Sequence, residues 1–381
     1  MKIVVTPDKF KGSLTAHEVA EIVEWTMSVY SPQSKIIKIP MADGGEGSSA
    51  ILSKYYKAEM IKILVHGPLR RRILAKYYLS TERKEAYIEM ANASGSKLLN
   101  YSRLNGLITT TYGTGELIRD AVKKGAKSII LCIGGSATND GGTGMANALG
   151  YTFLKKNGES FIPTGGTLSE IDKIIPPKKD WLKKIKVTVL ADVNNPLYGP
   201  TGAAFQYGPQ KGLDNEDCIK VDQGLKHLAK IIKKDFHFSI DQFPGSGAAG
   251  GLGGGASFFL KATMKAGATY IGNLLQLEHH IKTADLVISG EGKLDEQSLN
   301  CKVVEEVYCL CQRHKKPLLL LVGENELHNQ EKYFYHTEII SLSAFAGSAE
   351  EALRKPKRVL KEALLHWLTE HRPVQEYVLQ Y

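Results

Sequence analysis

Leu286-Val287-Ile288-Ser289-Gly290-Glu291-Gly292-Lys293-Leu294-Asp295 is the stretch on which the architecture turns. Its first four residues are apolar or small with no polar alternation, which suits a parallel strand buried on both faces. The strand then runs into an acid set between two glycines. Two further apolar strands follow, Leu318 to Val322 and Ile339 to Leu342, separated by helical stretches in the rhythm of a parallel sheet. The chain opens in the same way. Lys2 to Thr6 is a short β-branched run that leads into Pro7-Asp8-Lys9-Phe10-Lys11-Gly12-Ser13. A helix is predicted from Ser13 to about Val29, with Thr15 as its candidate N-cap. Lys35 to Ile39 is a second strand, ending near Ala42-Asp43-Gly44-Gly45-Glu46-Gly47, and Glu46 to Tyr56 a second helix.

Between these ends the pattern changes. Ile61 to Val65, Ile73 to Leu79 and Ala86 to Met90 are strands joined by short polar turns and read as antiparallel. A helix near Gly113 to Lys123, the strands Ser128 to Ile133 and Lys186 to Leu190, and helices at Asp217 to Lys234, Ala248 to Lys265 and Ile271 to Lys282 complete the reading. The economical assembly joins both ends of the chain, residues 1–60 and 268–381, into one α/β domain. This is a discontinuous Rossmann/flavodoxin-like parallel sheet, with 2-1-3-4-5 as a candidate order. A second α/β domain with a mixed sheet, residues 61–267, is inserted into it. In that order Lys2–Thr6 lies beside Leu286–Ser289, so the Asp8 and Glu291 turns flank the switch-point crevice where ligands of such sheets bind.

The 381 residues, 43% of them hydrophobic, are ample for a buried core and two domains. The 37 glycines gather in loops, which argues for backbone approaching a ligand. A formal charge of +9 would suit an anionic partner, but no nucleic-acid motif accompanies it, and a solvated basic surface explains it. No apolar run reaches the roughly 18 residues of a membrane span. No secretory leader is evident, and the five cysteines form no even framework. A cytoplasmic protein is expected, with no membrane or nucleic-acid partner and room for a homodimer. Cys309 and Cys311 lie in a helical stretch and read as buried filler.

The longest glycine loop, Gly134-Gly135-Ser136-Ala137-Thr138-Asn139-Asp140-Gly141-Gly142-Thr143-Gly144, follows a strand and opens a helix. Free N–H groups and the positive end of a helix dipole would converge there, as an oxyanion or phosphate cradle requires. Asp140 is a candidate cation ligand or helix cap. Ala191-Asp192-Val193-Asn194-Asn195-Pro196 closes a strand on a carboxylate and two amides, which makes Asp192 a candidate general base. Tyr207-Gly208-Pro209-Gln210-Lys211-Gly212 frames a lysine able to neutralise a carboxylate or phosphoryl group; Asp192 and Lys211 can equally be turn residues. Gly245-Ser246-Gly247-Ala248-Ala249-Gly250 contains a literal GxGxxG, but no strand precedes it and no ribose-binding acid follows, so close helix packing is the better reading. No Walker, HExxH, zinc or GxSxG pattern is present.

Asp8-Lys9-Phe10-Lys11-Gly12-Ser13, Ala42-Asp43-Gly44-Gly45-Glu46-Gly47, the Gly134–Gly142 run and Gly208-Pro209-Gln210-Lys211-Gly212 together resemble the bacterial type I glycerate kinases. Glu89-Met90-Ala91, Thr110-Thr111-Tyr112-Gly113, Asp192–Pro196 and Gly290–Asp295 extend the resemblance in the same order over nearly the whole chain. It implies ATP-dependent phosphorylation of D-glycerate with Mg²⁺, usually to 2-phosphoglycerate, between two α/β domains. The chain departs from that pattern at Lys9, where serine is common, at Lys293, where arginine is common, and at Cys301, where glycine is usual. An arginine's bidentate grip on phosphate becomes a single point charge at Lys293.

Carried onto these positions, ATP phosphates would lie on Gly134, Gly135, Ser136, Thr138, Asn139, Gly141 and Gly142, with Lys11 or Lys293 assisting. Asp43, Glu46, Glu291 and Asp295 would orient Mg²⁺. Glycerate would meet Asp8, Phe10, Lys11, Ser13, Asn194 and Lys211, with Asp192 as base and Asp43 as second choice; Lys11 and Lys211 would neutralise charge in the transfer. Two rival readings remain: a nucleotide-dependent oxidoreductase of a small hydroxy acid, and a non-catalytic sugar-acid or phosphate sensor.

Overall fold

The computed structural model describes residues 1–100, 102, 104–178, 182–299, 302–328, 330–335 and 337–371. Cys301 lies outside them. Along the chain run strands β1 (Lys2–Val5), β2 (Lys35–Lys38), β3 (Glu59–His66), β4 (Arg72–Ser80), β5 (Glu85–Glu89) and β6 (Ser128–Cys132). Three short strands follow, β7 (Thr152–Leu154), β8 (Ser160–Phe161) and β9 (Lys173–Ile175). The last are β10 (Lys186–Leu190), β11 (Thr263–Lys265), β12 (Leu286–Leu294), β13 (Leu318–Asn325) and β14 (Thr337–Ser341). The chain divides into two compact units, Met1–Asp43 with Gly267–Tyr381, and Gly44–Ala266.

The first unit carries a parallel sheet ordered β2-β1-β12-β13-β14. This is the candidate 2-1-3-4-5 order of a doubly wound sheet. Ile3, Val5, Ile288, Leu319 and Leu321 meet Val19, Val23 and Met27 of the helix Ala16–Tyr30 and Leu360, Leu364 and Trp367 of the helix Pro356–Glu370. Each large side chain buried this way contributes about 1.5–3 kcal/mol before chain entropy is subtracted. Thr15 starts the first helix with a full capping box: its hydroxyl accepts from the Glu18 N–H, and Glu18 accepts from the Thr15 N–H.

β12 runs further than the sequence indicates. Glu291 and Lys293 pair with Val322 and Glu324, so Gly290-Glu291-Gly292 is strand and not loop. Glycine makes this possible, because a Cβ on Gly290 would sit 1.9 Å from the Leu321 carbonyl oxygen.

The second unit carries a sheet ordered β11-β10-β6-β5-β4-β3, parallel from β11 to β5 and antiparallel from β5 to β3. A small sheet β8-β7-β9 joins it, built of strands of two or three residues too short to leave a periodic signal. The helix expected over Ala248–Lys265 stops at Phe259, and Thr263–Lys265 pairs with β10 as an edge strand. Lys261 makes the turn at φ 53°. The helix expected at Ile271–Lys282 is likewise broken at Gln276, whose φ is 54°. The chain crosses between units at Asp43/Gly44, earlier than the boundary after residue 60 drawn from the sequence. The helix Ser48–Tyr55 goes with the second unit because the Tyr56 ring that ends it stacks on Tyr87 of β5, centroids 5.6 Å apart. Among the described residues no helix is long and apolar enough to cross a membrane. Of the two helical cysteines, Cys311 is buried and Cys309 exposed, as positions two apart on a helix must be.

Candidate active site

In the second unit, three neighbouring parallel strands end side by side, with Glu89, Cys132 and Leu190 in one register row. Beyond Cys132 the chain enters the glycine loop, and beyond Leu190 it reaches Asp192, which is buried. The loop has two parts. Gly134, Gly135 and Ser136 reach the surface, whereas Thr138, Asn139, Asp140, Gly141 and Gly142 are buried. The first part leans on the Gly44-Gly45 turn: the Gly134 N–H donates to the Gly44 carbonyl at 3.2 Å, and a Cβ on Gly134 would lie 2.6 Å from the Gly45 Cα. In the second part Gly141 and Gly142 hold φ of 59° and 77°, and their open sides face Leu228 and Leu252. These two glycines serve packing.

Asp140 is the reason the buried part holds its shape. Its carboxylate accepts from the Thr111 N–H at 2.7 Å, the Thr111 hydroxyl at 2.9 Å, the Gly142 N–H at 3.1 Å and the Gly144 N–H at 3.2 Å. Of its two candidate roles it fills the cap, and the helix end that the sequence offered to a phosphate is occupied from within. Burial pushes its pKa up, opposed by these bonds. Asp140→Ala would strand these buried donors, and we expect a loss of about 3–5 kcal/mol. Urea unfolding checks this; a change below about 1 kcal/mol contradicts it.

Lys211 lies beneath the same loop, 3% exposed, donating to the Thr138 carbonyl at 2.8 Å and to Asn139 Oδ1 at 3.2 Å. Meeting a glycerate carboxylate would require a more accessible ammonium than this one. Burial pushes its pKa down to about 7, Asp140 opposing. An unfolded lysine titrates near 10.4, so between about pH 7 and 10 the unfolded chain binds the extra proton and stability rises with pH. A Lys211→Met variant should lack that rise, on the order of 1–4 kcal/mol, in unfolding curves measured across this range. Parallel curves for both proteins would contradict it. The Thr138 hydroxyl and Asn139 Nδ2 beside Lys211 are buried without a hydrogen-bond partner among the described residues.

The first unit gathers acids at the ends of β1 and β12. The Asp8 N–H donates to the Gly290 carbonyl at 2.8 Å, which fixes the turn after β1 against β12. Lys9 Nζ lies 3.3 Å from Asp8 and 3.1 Å from Asp43. Burial pushes Asp8 up to about 7 despite Lys9, and Asp43 adds to the rise. Although burial opposes it, the Lys9 ammonium is held above the usual lysine range by Asp43 and Asp8. Burial likewise pushes Glu291 up to about 7, with Asp8 and Asp295 contributing against Ser298 and Lys302. One Glu291 oxygen is buried with no hydrogen-bond partner among the described residues.

Phe10 is a core residue, bridging to Leu14, and the Ser13 hydroxyl donates to the Phe10 carbonyl. Lys11 is exposed, its backbone N 2.6 Å from where a Cβ on Gly292 would lie. Lys293 pairs with Glu326 at 2.6 Å, and in the second unit Glu46 pairs with Lys97 at 2.6 Å. Asn194 is exposed; Asn195, its neighbour, is fixed by Thr201 and Tyr207. His66, at the end of β3, is held by Glu116.

Among the described residues no three His, Cys, Asp or Glu side chains converge as a ready-made metal cage. Magnesium, however, commonly takes one or two carboxylates and completes its shell with water and substrate phosphate. Asp8, Asp43 and Glu291, with an orphaned buried oxygen among them, fit such a hard cation by donor chemistry.

A doubly wound sheet in one unit, a mostly parallel sheet in the other, and acids and glycine turns at the strand ends of both define an α/β protein with candidate ligand sites outside its strand ends. The chain belongs to the glycerate kinase family, whose model matches residues 3–369. Its relatives include a glycerate 2-kinase of Escherichia coli K12, 41% identical over 325 residues and 85% of each chain. A glycerate kinase of Bacillus cereus is 44% identical over 299 residues, 78% of each chain. The solved structure of a Salmonella typhimurium LT2 protein assigned as glycerate kinase 2 superposes with a TM-score of 0.74 at 34% identity, covering 97% of this chain and 99% of that one. Family membership makes this protein a kinase, a phosphotransferase.

Proposed function

We propose that this protein transfers the terminal phosphoryl group of ATP to a hydroxyl of D-glycerate, with 2-phosphoglycerate the favoured product. The observation that carries the reading is the pairing, at the ends of adjacent strands β6 and β10, of the accessible Gly134–Ser136 turn with the buried acid Asp192. The backbone N–H groups of Gly135 and Ser136 receive the donor phosphates, that of Gly134 being held by the Gly44 carbonyl, and Asp192 takes the proton of the attacking hydroxyl. Lys11, on an exposed turn, supplies positive charge to the phosphates. Asp8, Asp43 and Glu291, with Asp295 near them, would hold Mg²⁺, which when bound neutralises phosphate charge. The Thr138–Gly144 segment, Asp140 and Lys211 keep the turn rigid so that little reorganisation accompanies transfer. A cytoplasmic setting completes the proposal.

Phosphorus and carbon-13 NMR of the product from ATP and D-glycerate tests the regiochemistry. Phosphorus coupled to carbon 2 is the expected result. Coupling to carbon 3 would refute the favoured product.

A further inference from the structure

We infer that Glu89 is a positioning residue for phosphoryl transfer: its buried carboxylate sets the Gly44–Ser49 turn and, through that turn, the accessible Gly134–Ser136 turn. The inference rests on the reading that Gly134–Ser136 receives the donor phosphates. Glu89 ends β5 and is 7% exposed. A single oxygen, Oε1, accepts from the Gly47 N–H at 3.0 Å, the Ser49 N–H at 2.9 Å and the Ser49 hydroxyl at 2.8 Å. Those N–H groups open the helix Ser48–Tyr55. The position an external anion would take at that helix end is therefore filled by the protein's own carboxylate. The Gly44–Ser49 turn is thus framework for the neighbouring turn, and no phosphate is needed at its helix.

The coupling runs through glycines. Gly44 and Gly45 are wedged between the ends of β6 and β10: a Cβ on Gly44 would lie 2.8 Å from the Leu190 carbonyl carbon and oxygen, and one on Gly134 would lie 2.6 Å from the Gly45 Cα. The Gly134 N–H closes the contact on the Gly44 carbonyl at 3.2 Å. Whatever loosens residues 47–49 therefore loosens the wedge. The wedge touches the Gly134 turn on one side and the strand end carrying Asp192 on the other. Burial pushes the Glu89 pKa up, while its bonds from Ser49 and Gly47 pull it down, so the same donors that it orders also favour its charge.

Glu89→Ala, Glu89→Gln and Ser49→Ala test the inference, with hydrogen exchange and steady-state kinetics read on the full chain. In Glu89→Ala, exchange at Gly47, Ser49 and Gly134 should accelerate at least about tenfold, while Ile129 and Val189 in the core strands keep their rates. KM for ATP should rise about tenfold or more, and KM for D-glycerate should stay within about twofold. Glu89→Gln keeps an oxygen in place and should restore most of the effect; Ser49→Ala, the mildest change, should show the same pattern in smaller degree. Unchanged exchange at Gly134, or equal losses in both KM values together with faster exchange in the core strands, would overturn the inference. Exchange is independent of turnover. A wild type inert toward ATP would refute the proposed function and leave the Gly134 exchange rates to decide whether Glu89 sets the turn.

Discussion

Asp192→Asn is expected to lower kcat by about 10²–10⁴-fold while leaving KM for D-glycerate within a few fold. The asparagine preserves size and hydrogen-bonding oxygen, so the strand end and its neighbours should persist. What it cannot do is accept a proton from the attacking hydroxyl. The loss should therefore appear in the step where that proton moves and not in ground-state binding. Asp192 lies two residues past β10 and is 7% exposed, a setting in which a carboxylate is held by its surroundings. Steady-state kinetics over a range of glycerate concentrations checks the split. Near-normal kcat would remove Asp192 as the base and shift the role to Asp43.

The second large effect couples stability to activity. Glu291 titrates near 7 in the folded chain and near 4.3 when unfolded, because burial opposes its charge. Its favourable contribution is complete below about pH 4 and disappears as pH rises through 7. At pH 8 the folded protein thus carries a buried carboxylate, one oxygen of which has no hydrogen-bond partner among the described residues. Glu291→Gln removes that charge at almost constant volume. The variant should be more stable than wild type at pH 8, by about 1–3 kcal/mol, and indistinguishable near pH 4. Its turnover should fall by at least about 10²-fold, because a group that neutralises transition-state charge through a cation has been lost. Thermal unfolding at both pH values, alongside turnover at pH 8, checks the pair. A variant that is both fully active and no more stable would show that this acid is only a fold element.

The two effects together describe a trade common at active sites, where a charge is kept at a cost to the fold. Asp140 marks the opposite case. It is as deeply buried, yet its carboxylate accepts from the backbone or hydroxyls of Thr110, Thr111, Gly142 and Gly144. Its removal should cost stability by leaving those donors without a partner, with no compensating gain.

Much of the first unit is legible in the sequence because its strands are continuous apolar runs. Ile3 to Val5, Leu286 to Ile288 and Leu318 to Val322 are buried and could hardly sit elsewhere than in a parallel sheet. Thr15 announces its helix through its own hydroxyl and Glu18. The extension of β12 through Gly290-Glu291-Gly292 was hidden, because glycine reads as a turn unless the approach of β13 is known. The edge strand Thr263–Lys265 was hidden for a related reason: three residues after a glycine-rich helix carry no period of their own.

The site divides along the same line. Acid after strand, and glycine between strand and helix, marked Asp8, Asp192 and the Gly134 loop. Which parts of that loop are exposed could not be read, since Ser136 and Asn139 look alike as polar loop residues although only the first reaches the surface. Nor does a sequence show that the ammonium of Lys211 and the carboxylate of Glu89 point inward at backbone groups. Glu89 carried one hint, an acid directly after the run Ala86-Tyr87-Ile88.

The most direct test of the central claim is ADP release from ATP and Mg²⁺, followed with and without D-glycerate and across a panel of small hydroxy acids. The account predicts ADP and phosphoglycerate in equal amounts with D-glycerate, and negligible ADP in its absence. ADP formed at the same rate without glycerate, or glycerate phosphorylated only from a donor other than ATP, would contradict it.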